Sequence, residues 1–257
     1  MKNRYKSLNI KDNFLSTATY IFLRIIVIFF LITNLINEQY ENCLICFLTL
    51  VLLLLPFIIE EKFNIELPTT LEIIILLFIF SAQILGEVNS FYQLIPNWDN
   101  ILHTINGFIM GAIGFSFINL LNKIKNIHMK LSPIFVVVVS FCFSMTIGVL
   151  WEFGEYSWDQ VMKTDAQKDT IIKEIYSVNF DETKSNKVIK KTIDSVIVNG
   201  EEWEGYLDIG LIDTMHDLFV NFLGALVFSI FGYFYLTNNK FQIVENFLIK
   251  KRGENYG

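Results

Sequence analysis

Basic residues are missing from most of the long apolar stretches of this sequence. No Lys or Arg occurs in residues 63–122, 131–162 or 192–239, and only 18% of the 257 residues are charged. Soluble domains average roughly 25% charged residues, so this composition excludes an ordinary soluble fold. The formal net charge of −6 also argues against a nucleic acid partner.

Cysteine is scarce as well. Only three cysteines occur, and Cys43 and Cys46 form a C-x-x-C motif inside an apolar run. Without a neighbouring βαβ pattern or a second cysteine pair, this motif indicates neither a redox site nor a zinc site. The basic N-terminal segment precedes an apolar stretch that is too long for a signal peptide and lacks a cleavage site, so we interpret that stretch as a membrane span.

Six apolar blocks of about twenty residues dominate the sequence, and this is the length of a helix that crosses ~30 Å of hydrocarbon. They predict an all-α polytopic membrane protein with spans 1 to 6 at Phe14–Ile36, Tyr40–Ile59, Leu67–Phe91, Asp99–Leu121, Leu131–Trp158 and Leu211–Leu236. An insertion, residues 159–210, separates the last two spans. Its β-branched residues, its Asn199-Gly200 turn signal and a strand-like segment at Ile171–Phe180 predict a small β-hairpin domain.

Lys and Arg are found in the N-terminal segment, the loops after spans 2 and 4 and the C-terminal tail, whereas the loops after spans 1 and 3 have none. The positive-inside rule therefore predicts cytoplasmic termini and an extracytoplasmic insertion. The preference for Lys over Arg is typical of an AT-rich bacterial genome, which favours a bacterial inner membrane. We divide the chain into two accessory spans (residues 1–62), a four-span core with the insertion (63–239) and a cytoplasmic tail (240–257) with a short interfacial helix.

Ionisable residues inside membrane spans cost about 2.5–3.5 kcal/mol each at mid-helix and are functional candidates by default. Here they gather at one end of the last four spans. The candidates are Glu87, Asp99, His103, Glu152, Glu155, Asp213, His216 and Asp217. Because successive spans alternate in direction, these residues are predicted to lie at the same depth, in the outer leaflet.

These carboxylates have no Lys or Arg near them in the sequence, so they cannot all remain ionised: some are protonated or a cation binds. Imidazole and carboxylate groups are common ligands of divalent metals. Helix capping is an alternative role for Asp99 and Asp213, which stand at helix starts. Capping does not apply to Glu152 and Glu155, because they lie toward a helix C-terminus, where the helix dipole disfavours acids.

Four motifs of this region form a recognisable pattern. They are Gly86-Glu87 with Phe91-Tyr92, Trp98-Asp99-Asn-Ile-Leu-His103-Thr-Ile-Asn-Gly107, Trp151-Glu152-Phe-Gly-Glu155, and Asp213-Thr-Met-His216-Asp217-Leu-Phe-Val-Asn221-Phe-Leu-Gly224-Ala225. Over residues 65–236 the sequence resembles the YjdF-like family of bacterial inner-membrane proteins, and more distantly VanZ-like proteins. The resemblance implies the membrane architecture and brings no settled reaction. In such relatives the position of His216 can hold Lys, so we rank His216 below Asp213 and Asp217 as a ligand.

Three functional hypotheses follow. In the first, the protein is a metal-dependent hydrolase or transferase that acts on a lipid or lipid-linked substrate. Its divalent metal would be bound by His103, Glu152, Asp213 and Asp217, with His216 and Glu87 as further candidates. Asp99 would orient His103, and Glu155 would be the general base. In the second, the same acids serve a cation- or proton-coupled transporter, although the sequence shows no inverted repeat. A non-catalytic membrane scaffold is the third reading.

Overall fold

The structure, a computed structural model, describes residues 14–122 and 131–252. Within them, six helical segments are long and apolar enough to cross a membrane: Phe14–Ile36, Tyr40–Phe63, Thr69–Val88, Trp98–Leu121, Pro133–Met162 and Leu211–Asn238. The predicted all-α polytopic fold with six spans is therefore confirmed. The largest boundary differences are four residues, at the ends of span 2 and span 5. Span 2 continues to Phe63, and span 5 continues to Met162 and takes in residues predicted for the insertion.

Contacts divide the chain into two compact units. The first unit contains the described residues up to Gly148 and those from Val220 onward, and the second unit is Val149–Phe219. The helices are α1 (Phe14–Ile36), α2 (Tyr40–Leu52), α3 (Leu55–Phe63), α4 (Thr69–Phe80), a π-helix (Ser81–Val88), α5 (Phe91–Leu94), α6 (Trp98–Asn122), α7 (Pro133–Met162), α8 (Leu211–Asn238) and a 3-10 helix (Gln242–Phe247).

Span 2 is interrupted in its middle. Helix α2 ends at Leu52 and α3 begins at Leu55. The cause is Pro56, which has no backbone N–H to donate to Leu52. Proline is tolerated in the first turn of a helix, where the N–H groups have no intrahelical partner in any case, so α3 restarts there.

Span 3 changes helix type halfway along its length. Helix α4 passes into the π-helix, which is closed by a bond from the Asn89 N–H to the carbonyl of Ile84, 3.0 Å away. Such i→i+5 turns are rare and often mark functional positions. The π-helix carries Glu87, one of the predicted ligands.

Two apolar clusters form the core of the first unit. One joins α1, α2 and span 3 through residues such as Val27, Cys46 and Leu76. Cys46 is a buried free thiol of this cluster, in keeping with a structural role for the C-x-x-C motif. The other cluster gathers around Phe115 and Phe228, whose rings pack edge to face at 5.8 Å.

The C-terminal tail differs from the expected interfacial helix. After the 3-10 helix, strand β8 (Lys250–Lys251) pairs antiparallel with β1 (Ile65–Glu66), the strand that follows α3. The Arg252 guanidinium lies 2.7 Å from a carboxylate oxygen of Glu61. We name this pairing of β1 with β8 the tail clasp.

Apolar and polar contacts both hold the tail in place. Val244 and Phe247 are buried in the second cluster. The Ser116 hydroxyl on α6 donates to the carbonyl of Phe247 at 3.1 Å and accepts from the N–H of Ile249 at 3.2 Å. The tail residues therefore pack into the core. The amphipathic pattern of the tail predicts an apolar face but does not show which surface that face contacts.

Three two-stranded antiparallel pairs make up the β part of the second unit. They are β2 (Ile171–Ile172) with β7 (Tyr206–Leu207), β3 (Glu174–Ser177) with β4 (Ile189–Thr192), and β5 (Val196–Val198) with β6 (Glu201–Trp203). The predicted hairpin is confirmed: Asn199 and Gly200 form its turn with φ of 50° and 92°. Positive φ at both positions is what a two-residue turn requires.

Buried carboxylates organise the loops of this unit. Asp208 precedes α8 and accepts from the N–H groups of Thr170 at 2.7 Å and Ile212 at 2.8 Å. Burial acts to raise the pKa of Asp208, but these bonds, with one from the Gly210 N–H, outweigh it and hold the pKa below its usual value. The pKa of Asp181 is held well below its usual range, first by the hydroxyl of Thr183.

The insertion should therefore lose stability in acid. A carboxylate with a lowered folded-state pKa stabilises the fold above its unfolded pKa of about 4, and this contribution disappears as the pH falls through the folded value. We expect the hydrogen-exchange protection of the Thr170 and Ile212 amides to decrease once the pH is lower than 4. Asp208→Asn should weaken protection at neutral pH and reduce its acid dependence. The exposed Asp194→Asn is the control, and an unchanged pH profile in Asp208→Asn would contradict this role.

Candidate functional site

Aromatic packing fixes the point at which span 4 begins. The rings of Phe91 and Trp98 pack edge to face with centroids 5.1 Å apart. Gly86 of the π-helix lies against the ring of Tyr92, so closely that a Cβ there would come within 2.3 Å of Cε2. The Gly86-Glu87 and Phe91-Tyr92 pattern of the sequence is thus a packing arrangement that holds the start of α6.

Asp99 and His103 lie together on the first turns of α6. His103 Nε2 is 3.5 Å from Asp99 Oδ1, the geometry of an i, i+4 pair on one helix face. His103 is buried, whereas Asp99 is partly exposed. This contact supports the prediction that Asp99 orients the imidazole.

A polar contact lies one turn further along α6. The Asn106 amide donates to the side-chain oxygen of Asn221 on α8 at 3.3 Å, and the Asn221 amide lies 3.7 Å from the sulfur of Met145 on α7. Asn221 is completely buried. The Ser144 hydroxyl of α7 donates to the carbonyl of Gly107 at 2.8 Å. Polar side chains of α6, α7 and α8 therefore contact one another inside the first unit.

Glycines allow the backbones of these helices to approach closely. A Cβ at Gly107 would lie 2.1 Å from the carbonyl oxygen of Asn221, and one at Gly224 would lie 2.0 Å from that of Thr104. A Cβ at Gly148 would lie 2.6 Å from the Asn221 amide nitrogen. No side chain fits at these points, so only glycine permits this packing of membrane helices. We call the meeting of Gly107, Gly148 and Asn221 the glycine–asparagine contact.

The acids of span 5 form a pair in the second unit. Glu152 is almost completely buried, and one of its carboxylate oxygens lies within 4.8 Å of one from Glu155. The indole N–H of Trp151 donates to Glu155 at 2.8 Å. The sequence analysis did not predict this contact between Trp151 and Glu155. The position of Trp151 four residues before Glu155, on the same helix face, was the available signal.

The three candidates at the start of span 6 have different environments. Asp217 is buried, whereas His216 is exposed. Asp213 accepts a hydrogen bond from the Lys168 N–H at 2.8 Å, which ties the start of α8 to the insertion. This bond is not the helix cap that was the alternative for Asp213, because its donor lies outside α8.

Each unit contains one close pair of candidates, Asp99 with His103 in the first unit and Glu152 with Glu155 in the second. Asp217 is buried in the second unit, and Glu87 is exposed on the π-helix. A pair of carboxylates or a carboxylate beside an imidazole can share a proton or bind a cation.

Comparison with known proteins identifies a family and a distant relative. A family model described as a predicted membrane protein (DUF2238) matches residues 18–238. An uncharacterized protein of Thermotoga maritima is 26% identical over 107 residues, which cover 42% of this chain and 53% of that protein. The chain therefore spans about half the length of this relative. No solved structure matches the chain.

Because α6 and α8 approach so closely, adding a single methyl group at their contact should strongly reduce the stability of the protein. Gly107→Ala should force the two backbones apart and destabilise the protein by about 2 kcal/mol or more, as overpacking does. Thermal unfolding of the protein in detergent would measure this. Gly154→Ala is the matched control, because nothing lies within 4 Å of a Cβ there. Equal unfolding temperatures for the two variants would disprove the tight contact.

Proposed function

Because the chain belongs to the DUF2238 family of predicted membrane proteins, we propose a function performed inside the membrane. Carboxylates and an imidazole at one end of the last four spans bind a divalent cation and serve hydrolysis or group transfer on a lipid or lipid-linked substrate. The family match is consistent with the resemblance to YjdF-like proteins.

One observation carries the proposal: three ionisable side chains are buried within membrane spans. The exposed fraction is 7% for His103, 4% for Glu152 and 1% for Asp217. Removing a carboxylate from water costs several kcal/mol unless a compensating charge accompanies it. The spans that carry these residues contain no Lys or Arg. A bound cation would add a compensating positive charge to this group of acids.

Helix geometry favours a single shared site. His103, Glu152 and Asp217 each lie four residues from a member of the glycine–asparagine contact. Residues four apart on an α-helix occupy the same face, about one turn along the axis. In each of the three helices the ionisable residue lies on the side of that contact toward the predicted outer leaflet. The buried set is therefore our proposed ligand set. The exposed Glu87 and His216 are left out of it, and so is Asp213, which is only partly buried and accepts a bond from Lys168.

The chemistry follows from the two pairs. A divalent cation held by His103, Glu152 and Asp217 would polarise a phosphoryl or carbonyl oxygen of the substrate. Glu155 would take the proton from the attacking water while the bond to the leaving group breaks. The Trp151 N–H holds the Glu155 carboxylate in position. Span ends lie at the depth of lipid headgroups, which is why we propose a lipid or lipid-linked substrate.

Metal content tests the binding step. Elemental analysis of the detergent-purified protein should find about one divalent metal ion per chain, because three ligands on separate helices define one site. Glu152→Gln and Asp217→Asn keep the side-chain shape and should lower the metal affinity more than tenfold. Glu201→Gln, an exposed acid of the hairpin, is the control and should retain the metal.

Two outcomes would count against metal binding. The proposal fails if the wild type holds no metal even after incubation with divalent ions, or if Glu152→Gln binds metal like the wild type. Metal binding together with cation or proton flux in proteoliposomes would favour the transporter instead.

Glu155→Gln separates catalysis from metal binding. The variant should retain the metal, since Glu155 is outside the proposed ligand set, but lose the general base, which is typically worth 10²–10⁴-fold in rate. Mass spectrometry of a bacterial lipid extract incubated with the protein would identify the substrate as the lipid that wild type consumes and the variant does not. If the variant and the wild type consume the same lipids at equal rates, Glu155 is not the base.

A further inference from the structure

A pocket lies in the first unit among α1, span 2 and α4. Its volume is about 340 Å³, within the range of small-molecule sites. The polar lining comes from Thr17, Tyr20 and Glu72, and residues such as Leu53 and Leu76 supply apolar surface. None of these residues belongs to the proposed metal site of His103, Glu152 and Asp217. Glu72 is at the opposite end of span 3 from Glu87.

The carboxylate of the pocket is near the membrane interface. Glu72 is the fourth residue of α4. At 1.5 Å per residue it lies about 5 Å from the start of that helix. This is the region where lipid headgroups meet acyl chains. The distribution of Lys and Arg assigns this side to the inner leaflet.

A cation reaches this pocket from the middle of span 1. The guanidinium of Arg24 donates a hydrogen bond to the Tyr20 hydroxyl and lies 5.2 Å from the centroid of the Tyr20 ring. Its side chain thus extends back by one helical turn toward the start of α1, as long basic side chains do within membranes. Because Tyr20 lines the pocket, the guanidinium bonded to its hydroxyl places a positive charge beside the pocket.

The two charges suggest the occupant. The Arg24 guanidinium is bonded to Tyr20 on one side of the pocket, and the Glu72 carboxylate lines it from another helix. A zwitterionic phospholipid has the matching pair of groups, since its headgroup carries a negative phosphate and a positive amine. A primary ammonium can also donate hydrogen bonds to a carboxylate, which a trimethylated ammonium cannot.

We propose that this pocket binds a phospholipid with a primary amine headgroup, of the phosphatidylethanolamine type. Its phosphate contacts Arg24 and Tyr20, its ammonium contacts Glu72, and its acyl chains lie along Leu53 and Leu76. This proposal is independent of the metal site and of any reaction there.

Native mass spectrometry of the detergent-purified protein tests the proposal. The protein is titrated with phosphatidylethanolamine, phosphatidylcholine and phosphatidylglycerol that carry the same acyl chains. We expect phosphatidylethanolamine to bind about tenfold more tightly than the other two, the effect of a single charge-assisted hydrogen bond. Glu72→Gln should remove this preference. It should weaken phosphatidylethanolamine more than phosphatidylcholine, which loses only the attraction between its charge and the carboxylate.

Two further variants make the result decisive. Tyr20→Phe removes the hydroxyl between Arg24 and the pocket. It should weaken the binding of all three lipids to the same extent, because each contains the phosphate. Glu41→Gln, at the exposed start of span 2, is the matched control and should bind like the wild type. Equal affinities for the three headgroups, or a preference that survives Glu72→Gln, would overturn the proposal.

Discussion

The backbones of α6 and α8 meet within the first unit at a distance that leaves no room for a side chain. Gly107 and Gly224 are placed against the carbonyl groups of Asn221 and Thr104, and a single methyl group at either glycine would overlap with them. In a membrane no hydrophobic force draws two apolar helices together, so close packing and interhelical hydrogen bonds must do so. The contact between Asn106 and Asn221 supplies one such bond. The directions of the neighbouring polar side chains follow from this crossing.

Much of this arrangement could be predicted from composition and periodicity. The spans are visible because hydrocarbon thickness sets their length, and the Asn199-Gly200 hairpin is visible because few residue pairs adopt two positive φ angles. The polar stripes were also apparent, since residues three and four apart share a helix face. The ligand set itself stays a prediction. What the structure adds is the burial that separates Asp217 and Glu152 from the exposed His216 and Glu87.

Other features could not be found in the sequence, for physical reasons. The π-helix of span 3 depends on a shift in backbone hydrogen bonding that leaves the apolar pattern unchanged. The bond from Lys168 to Asp213 and the tail clasp join residues far apart in the chain, and no local preference reports such contacts. The tail was expected to form an interfacial helix because its amphipathic pattern fits one. Its apolar residues instead have partners in the core near Ser116.

The tail clasp also orders events during synthesis of the protein. Strand β1 emerges between the second and third spans, but its partner β8 is made only after all six spans. Until then β1 has no strand to pair with, and the groove beside Ser116 that Phe247 and Ile249 later fill is open. The last contacts of the first unit therefore form after the final span has been made. A ribosome that stalls before Lys250 would leave a protein with every span present and its closing strand missing.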